Sequence, residues 1–240
     1  MRTRRVFIAA VALVSLLAWV ILTEKPQAAT SEPPAASEQT VEIPVATNSN
    51  KELATAILET LPVKGRAPKT GYARTQFGNG WTNVAGCDTR NRILARDMAD
   101  AKVDETCKVL SGTLNEPYTG NTILFTRGAN TSALVQIDHV VALSNAWQTG
   151  AQLLAPEARI ALANDPLELL AVDGDANQKK GDGDAATWLP PNKSFRCQYV
   201  ARQIAVKAKY ALWVVPAEKQ AMLAVLAKCP DQTLPNVVLQ

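Results

Sequence analysis

The sequence predicts an α+β fold stapled by disulfides, and three observations carry that prediction. Strand-like segments cluster in the middle of the chain, with helical segments before them and two helices after them. The 240 residues are 47% hydrophobic and 20% charged, enough for one good-sized domain with a core of its own. The four cysteines, Cys87, Cys107, Cys197 and Cys229, are an even set with no CxxC spacing, so a zinc knuckle or redox motif is disfavoured. The same composition excludes disorder over the whole length, a collagen and a multi-span membrane protein. The net charge is only +3, with 25 basic and 22 acidic residues. Nucleic-acid binding would therefore have to come from local placement of Lys and Arg, not from bulk charge. A single histidine excludes any site that needs two, such as an HExxH protease.

The chain opens with Arg2, Arg4 and Arg5 and then runs apolar and uncharged from Val6 to Leu22. That is the layout of a secretion signal. The run is long for a cleaved signal and short for a spanning helix. A cleaved signal over residues 1–29 is the expectation, with an uncleaved N-terminal anchor as the alternative and the only membrane contact. Residues 30–50 are rich in Pro, Ala, Ser, Thr and Glu and read as a flexible linker. The folded domain is expected over residues 51–240, outside the cytoplasm, secreted or in the cell envelope. Export makes disulfides the default for the cysteines. Three pairings are open; the sequence-local Cys87–Cys107 and Cys197–Cys229 are favoured, each contributing roughly 3 kcal/mol by loop entropy.

Along the domain, Glu52 to Leu61 reads as a short amphipathic helix. Gly71 to Trp81 is turn-rich and aromatic, with Tyr72, Phe77 and Trp81 read as a core cluster. Thr89 to Met98 is helical, with Asp88 or Thr89 as N-cap. Cys107 to Leu114 and Thr122 to Arg127 read as a β-hairpin, and Ala133 to Val141 as a third strand. Pro156 to Ala163 is a helix with Pro in its first turn, and Leu167 to Val172 a strand. Helices over about 195–212 and 217–227 close the chain. Arg196, Arg202, Lys207 and Lys209 form a basic run on the first of these, usually a solvated face. Asp182 and Asp184 read as turn and cap residues, and Trp188 as core.

The residues suited to chemistry are Asp138-His139 and Asn177 with Lys180. At a strand end, neighbouring side chains can approach one site. A carboxylate is a hard oxygen ligand suited to Mg²⁺, and about three quarters of a free imidazole is neutral at pH 7 and able to take a proton. Asn177 offers a second oxygen ligand. Lys180 follows three residues later on the same helical face and could hold a phosphate. A base, a metal and a cation beside a phosphate make up a one-metal phosphodiesterase.

The runs IDHVVAL, ANDPLELLAVDG and NQKKGDGDAATWLPPN resemble the HNH (His-Me finger, ββα-metal) endonucleases. The branch they resemble is one of secreted bacterial proteins related to the GmrSD C-terminal domain. GYARTQFGNGW, GCDTRNRILARDM and the segment from Phe195 to Cys229 share the likeness, which covers about residues 70–230. The resemblance implies a ββα-metal core at about 133–185. It implies His139 as general base, Asp138 and Asn177 as ligands of one divalent metal, and Lys180 as a phosphate contact or a stabiliser of the helix start. Mg²⁺ is the expected metal, with Mn²⁺ or Ca²⁺ as alternatives. The family form NDPLNLLAV has an Asn that orients the histidine where this chain has Glu168. Either Glu168 does the orienting, or Asn164 takes part, or the site is weakened. Arg90 and Arg127 are candidate contacts to the nucleic-acid backbone, with helix surface or salt bridge as their structural alternative.

The expected activity is hydrolysis of DNA phosphodiester bonds with little sequence preference, RNA being a second substrate to consider. No protein partner is evident. The alternative is an envelope domain that keeps the fold without catalysis. A Ser-His-Asp hydrolase is disfavoured because no GxSxG is present.

Overall fold

A computed structural model describes residues 52–236. The signal or anchor expected over residues 1–29 and the linker over 30–50 lie outside the described residues. Among these, no helix is long and apolar enough to cross a membrane.

Helix α1 (Ala54–Thr60) opens the described chain and packs on the two C-terminal helices. A single turn of 3₁₀ helix, Arg74–Phe77, follows. Two short strands, β1 (Asn83–Val84) and β2 (Cys87–Asp88), pair before α2 (Thr89–Asp97). Asp88 caps α2 by accepting a hydrogen bond from the Asn91 N–H. The expected hairpin is present as β4 (Val109–Asn115) and β5 (Thr122–Thr126), but a further strand, β3 (Met98–Val103), joins it. The sequence MADAKV has little β character, so pairing with β4 decides its conformation. A register shift between Ala99 and Lys102, with Asp100 at φ 53°, marks a bulge there.

The strand expected at Ala133 to Val141 is β6 (Val135–His139), and it does not extend the hairpin sheet. After α3 (Leu143–Gln148), which the sequence reading did not find, and α4 (Pro156–Ala163), the chain returns as β7 (Leu169–Asp173). Strands β6 and β7 are antiparallel, with His139 opposite Leu169 and Asp138 opposite Leu170. Asp173 ends β7 and caps α5 (Gly174–Lys180) through the Ala176 N–H, so the order is strand, strand, helix without a spacer. Gly174 is required at this junction. A Cβ there would stand 2.4 Å from the Ala133 carbonyl oxygen.

Two hydrophobic clusters flank the β6–β7 pair. Val135, Ile137, Leu169 and Ala171 face a cluster with Ile93, Leu94 and Phe125. Leu170 and Val172 face the larger cluster formed by α6 (Arg196–Lys209), α7 (Pro216–Leu226) and Tyr118. The period of two in the strands therefore sets which residues of β6 look toward which core. Trp188 joins Tyr118 and Tyr199 in this cluster, as expected.

The disulfides are Cys87–Cys107 and Cys197–Cys229, the sequence-local pairings. The first ties β2 to the β3–β4 turn; the second ties the start of α6 to the segment after α7. The basic run on α6 is not a solvated face. Lys207 is fully buried against Glu218, Arg202 donates to the carbonyls of Pro166 and Leu167, Arg196 donates to that of Pro190, and Lys209 pairs with Asp165. These cations satisfy buried acceptors, a role that spacing alone does not reveal.

Candidate active site

His139 is the last residue of β6 and is almost fully buried. Its Nε2 lies 3.0 Å from the Ala163 carbonyl oxygen at the end of α4. A carbonyl oxygen only accepts, so Nε2 carries the proton and Nδ1 keeps its lone pair. The Trp81 ring lies parallel to the imidazole, with centroids 5.7 Å apart. Trp81 thus leaves the expected core cluster, in which Trp147 instead packs edge-on against Tyr72 and Phe77. Burial, with the positive charges of Arg74 and Lys180, lowers the His139 pKa to about 3. The ring is neutral at physiological pH.

Asp138 sits beside it, held from two sides. Lys180 Nζ donates to Asp138 Oδ1 at 3.0 Å and to the His139 carbonyl at 2.8 Å. The Tyr118 hydroxyl donates to Asp138 Oδ2. Burial raises the Asp138 pKa, and Lys180 and Tyr118 oppose that rise. Burial, and next the Asp138 charge, pushes the Tyr118 hydroxyl well above its usual range, so it remains a donor. Lys180 is therefore directed inward, and the expected phosphate contact gives way to an internal ion pair. Ala176 and Lys180, four residues apart, share the buried face of α5.

Glu168 occupies the position where the related motif has Asn, and it does join His139's surroundings through backbone. Its carbonyl accepts from the Val140 N–H at 2.9 Å, and its Oε2 from the Val141 N–H at 3.2 Å. Both bonds pin the chain just past His139. Asn164 is engaged elsewhere, with the Thr82 N–H and the Ile160 carbonyl. Burial pushes the Glu168 carboxyl well above the ordinary range, and Glu168 Oε1 has no hydrogen-bond partner among the described residues.

A cavity of about 440 Å³ opens over this group, lined by Arg74, Trp81, Arg90, Gln136, Asp138, His139 and Asn177 among others. A smaller one of about 190 Å³ lies against His139 and is also walled by Arg74 and Trp81. Asn177 is the fourth residue of α5. Its Nδ2 donates to Gln136 Oε1 at 2.9 Å, and its Oδ1 accepts no hydrogen bond from the described residues. Gln136 and Asp138 share one face of β6. Arg90 lines the cavity while donating to the carbonyls of Ser132 and Val135. Arg127 does not line it. Arg127 donates to Val109 O and Asn91 Oδ1 and is a structural link between β4, β5 and α2.

The donor set fits a hydrated hard cation. Asn177 Oδ1 is unengaged, and each Asp138 oxygen accepts one bond and retains a lone pair. Mg²⁺ keeps several waters and needs only one or two protein oxygens. Among the described residues no group of three or more His, Cys, Asp or Glu could hold a metal, so a closed zinc-type cage does not fit.

A model of the family described as "GmrSD restriction endonucleases, C-terminal domain" matches residues 88–225. The chain belongs to this family. The GmrSD C-terminal match contains β6, β7 and α5 and the whole candidate site except the Arg74–Trp81 wall. It makes the protein nuclease-related. The chain is also 39% identical over 179 residues to an uncharacterized secreted protein of Arthroderma benhamiae, covering 73% of this chain and 84% of that one. That relative is fungal, not bacterial. No solved structure matches the chain. The secreted relative and the two disulfides place the protein outside the cytoplasm, secreted or in the cell envelope. Of the residues around His139, sequence reasoning missed Tyr118, Arg74 and Gln136. Only Gln136 had a signal, its spacing of two from Asp138.

Proposed function

We propose that the protein is a secreted, metal-dependent endonuclease of the HNH (ββα-metal) type that hydrolyses DNA phosphodiester bonds with little sequence preference. The observation that carries this reading is the His139 imidazole. Its tautomer is set by the Ala163 carbonyl so that Nδ1 is the free base, in a cavity shared with Asp138 and Asn177.

In this reading His139 Nδ1 takes the proton from the water that attacks phosphorus. The bond to the Ala163 carbonyl holds the ring in place and stabilises the imidazolium that forms. Asp138 and Asn177 would hold one divalent cation, Mg²⁺ by the chemistry of its oxygen donors. When bound, it would neutralise charge on the phosphate and the leaving 3′ oxygen. Lys180 and Tyr118 orient the Asp138 carboxylate. Glu168 fixes the backbone turn after His139. The cavity offers a backbone-reading site, and among the described residues no element resembles a major-groove reading module.

Plasmid cleavage tests the proposal, with purified protein in Mg²⁺, Mn²⁺ or EDTA, beside His139→Ala. Cleavage that needs metal and falls at least about 100-fold in the variant is the expected result. A second reading, a domain that retains the fold without catalysis, is favoured by one observation: both Asp138 oxygens already accept bonds from Lys180 and Tyr118. Folded protein that cuts with none of these metals would establish it.

A further inference from the structure

We infer that Arg74 is the substrate-phosphate contact of this site, taking the role that the sequence pattern gives to Lys180. The inference rests on the nuclease reading above and names the residue that would receive the nucleic-acid backbone.

A phosphodiester carries a full negative charge, and a site that binds it needs a cation free to turn toward it. The cations near His139 differ in that respect. Lys180 is buried and committed to Asp138 and the His139 carbonyl. Arg127 is off the cavity and committed to Val109 and Asn91. Arg90 lines the cavity but spends one guanidinium nitrogen on two backbone carbonyls. Lys69 is paired with Asp182. Arg74 is exposed, borders both cavities that touch His139, and its guanidinium makes no hydrogen bond or ion pair with another described residue.

Its backbone is nonetheless well held. It begins the 3₁₀ turn Arg74–Phe77, and Arg159 on α4 clamps that turn through Nε to the Gln76 carbonyl and a second bond to Gln76 Oε1. Phe77 is buried against Trp147. The guanidinium therefore hangs from a fixed support with all its donors available. A planar fork of N–H groups matches two phosphate oxygens. Trp81, from the same segment, backs the imidazole, so one wall would present the cation to the phosphate and the base to the water.

Two measurements on the purified protein test this. The first is fluorescence anisotropy with a labelled 20-base-pair DNA duplex in Mg²⁺, using His139→Ala as the parent. The second is kcat/KM for the same DNA in the active protein. Arg74→Ala is expected to weaken binding and lower kcat/KM by about tenfold each, and to reduce the slope of log affinity against log salt by about one. Arg74→Lys should recover the slope and part of the affinity. Lys102→Ala, which removes an exposed charge on β3, should leave both readings within about twofold. If the protein cleaves DNA and Arg74→Ala matches the parent in affinity, slope and kcat/KM, the Arg74 assignment is overturned while the nuclease reading stands. If the wild type neither cleaves nor binds the duplex, the nuclease reading falls and the assignment falls with it.

Discussion

The residues beneath His139 and those along its open side are bonded very differently. Beneath it, Asp138, Lys180 and Tyr118 are buried and joined to one another, and Glu168 holds two backbone N–H groups. Along the open side, the Arg74 guanidinium and the Oδ1 of Asn177 have no protein partner among the described residues, and Trp81 offers a ring face. A buried charge must be paired or it costs several kcal/mol, whereas an exposed one is solvated at little expense. The floor therefore contributes to stability and geometry together. The wall is free to be spent on a ligand. Substitutions in the two regions should separate cleanly: variants that break the Asp138–Lys180–Tyr118 group lose stability as well as activity, and wall variants such as Arg74→Ala lose binding with an unchanged melting temperature.

Lys180→Met should give the largest effect. It keeps the buried stem but leaves Asp138 without its cation, a loss of about 3–5 kcal/mol for a broken buried pair. For a chain of this size that corresponds to a fall of roughly 10 °C in melting temperature. A melting curve within 2 °C of wild type (about the expected scatter for a surface change) would show that Lys180 is not part of the floor. Tyr118→Phe should come next. It removes one O–H donor from a buried carboxylate and should cost about 1–3 kcal/mol. The check is a lower urea midpoint at unchanged slope. An unaltered midpoint would mean that Asp138 finds another donor and that the Tyr118 bond is incidental.

The sequence showed the chemistry of the site better than its support. Asp138 and His139 are adjacent, and Asn177 lies in a helix that begins directly after β7, so local pattern was enough to group them. The partners that hold them come from far away in sequence. Tyr118 precedes Asp138 by 20 residues in a turn whose hairpin signal says nothing about where the ring points. Arg74 and Trp81 come from a segment that reads as an aromatic core because its rings are dense. Only packing shows that Trp147, not Trp81, completes that core. For Lys180 the sequence leaves two faces of α5 open. Spacing of three from Asn177 suggested the cavity, whereas spacing of four from Ala176 puts it in the core. Strand β3 escaped for a related reason: its residues accept a β conformation only because β4 offers a partner. Glu168, by contrast, was legible as a departure but not as an outcome, since its role depends on reaching the Val141 N–H.

Glu168→Gln is the finest test, because it asks whether a floor residue acts by its charge or by its acceptor oxygen. Burial raises the folded Glu168 pKa well above the ordinary value of 4.5, outweighing the Val141 N–H and the nearby Lys180. Between 4.5 and the raised folded value the native protein binds more protons here than the unfolded chain does. The contribution is thus fully present below pH 4.5 and is lost as pH rises through the folded pKa. Gln keeps the acceptor for Val141 and never ionises, so this loss should vanish. Urea unfolding of the variant should match wild type near pH 4.5 and exceed it at pH 8. If the wild type is instead the more stable at pH 8, Glu168 is held as a carboxylate and the floor carries an additional negative charge. Cleavage should survive in Glu168→Gln and fall in Glu168→Ala. The backbone turn after His139 requires an oxygen at Val141, and Gln and Glu both supply one.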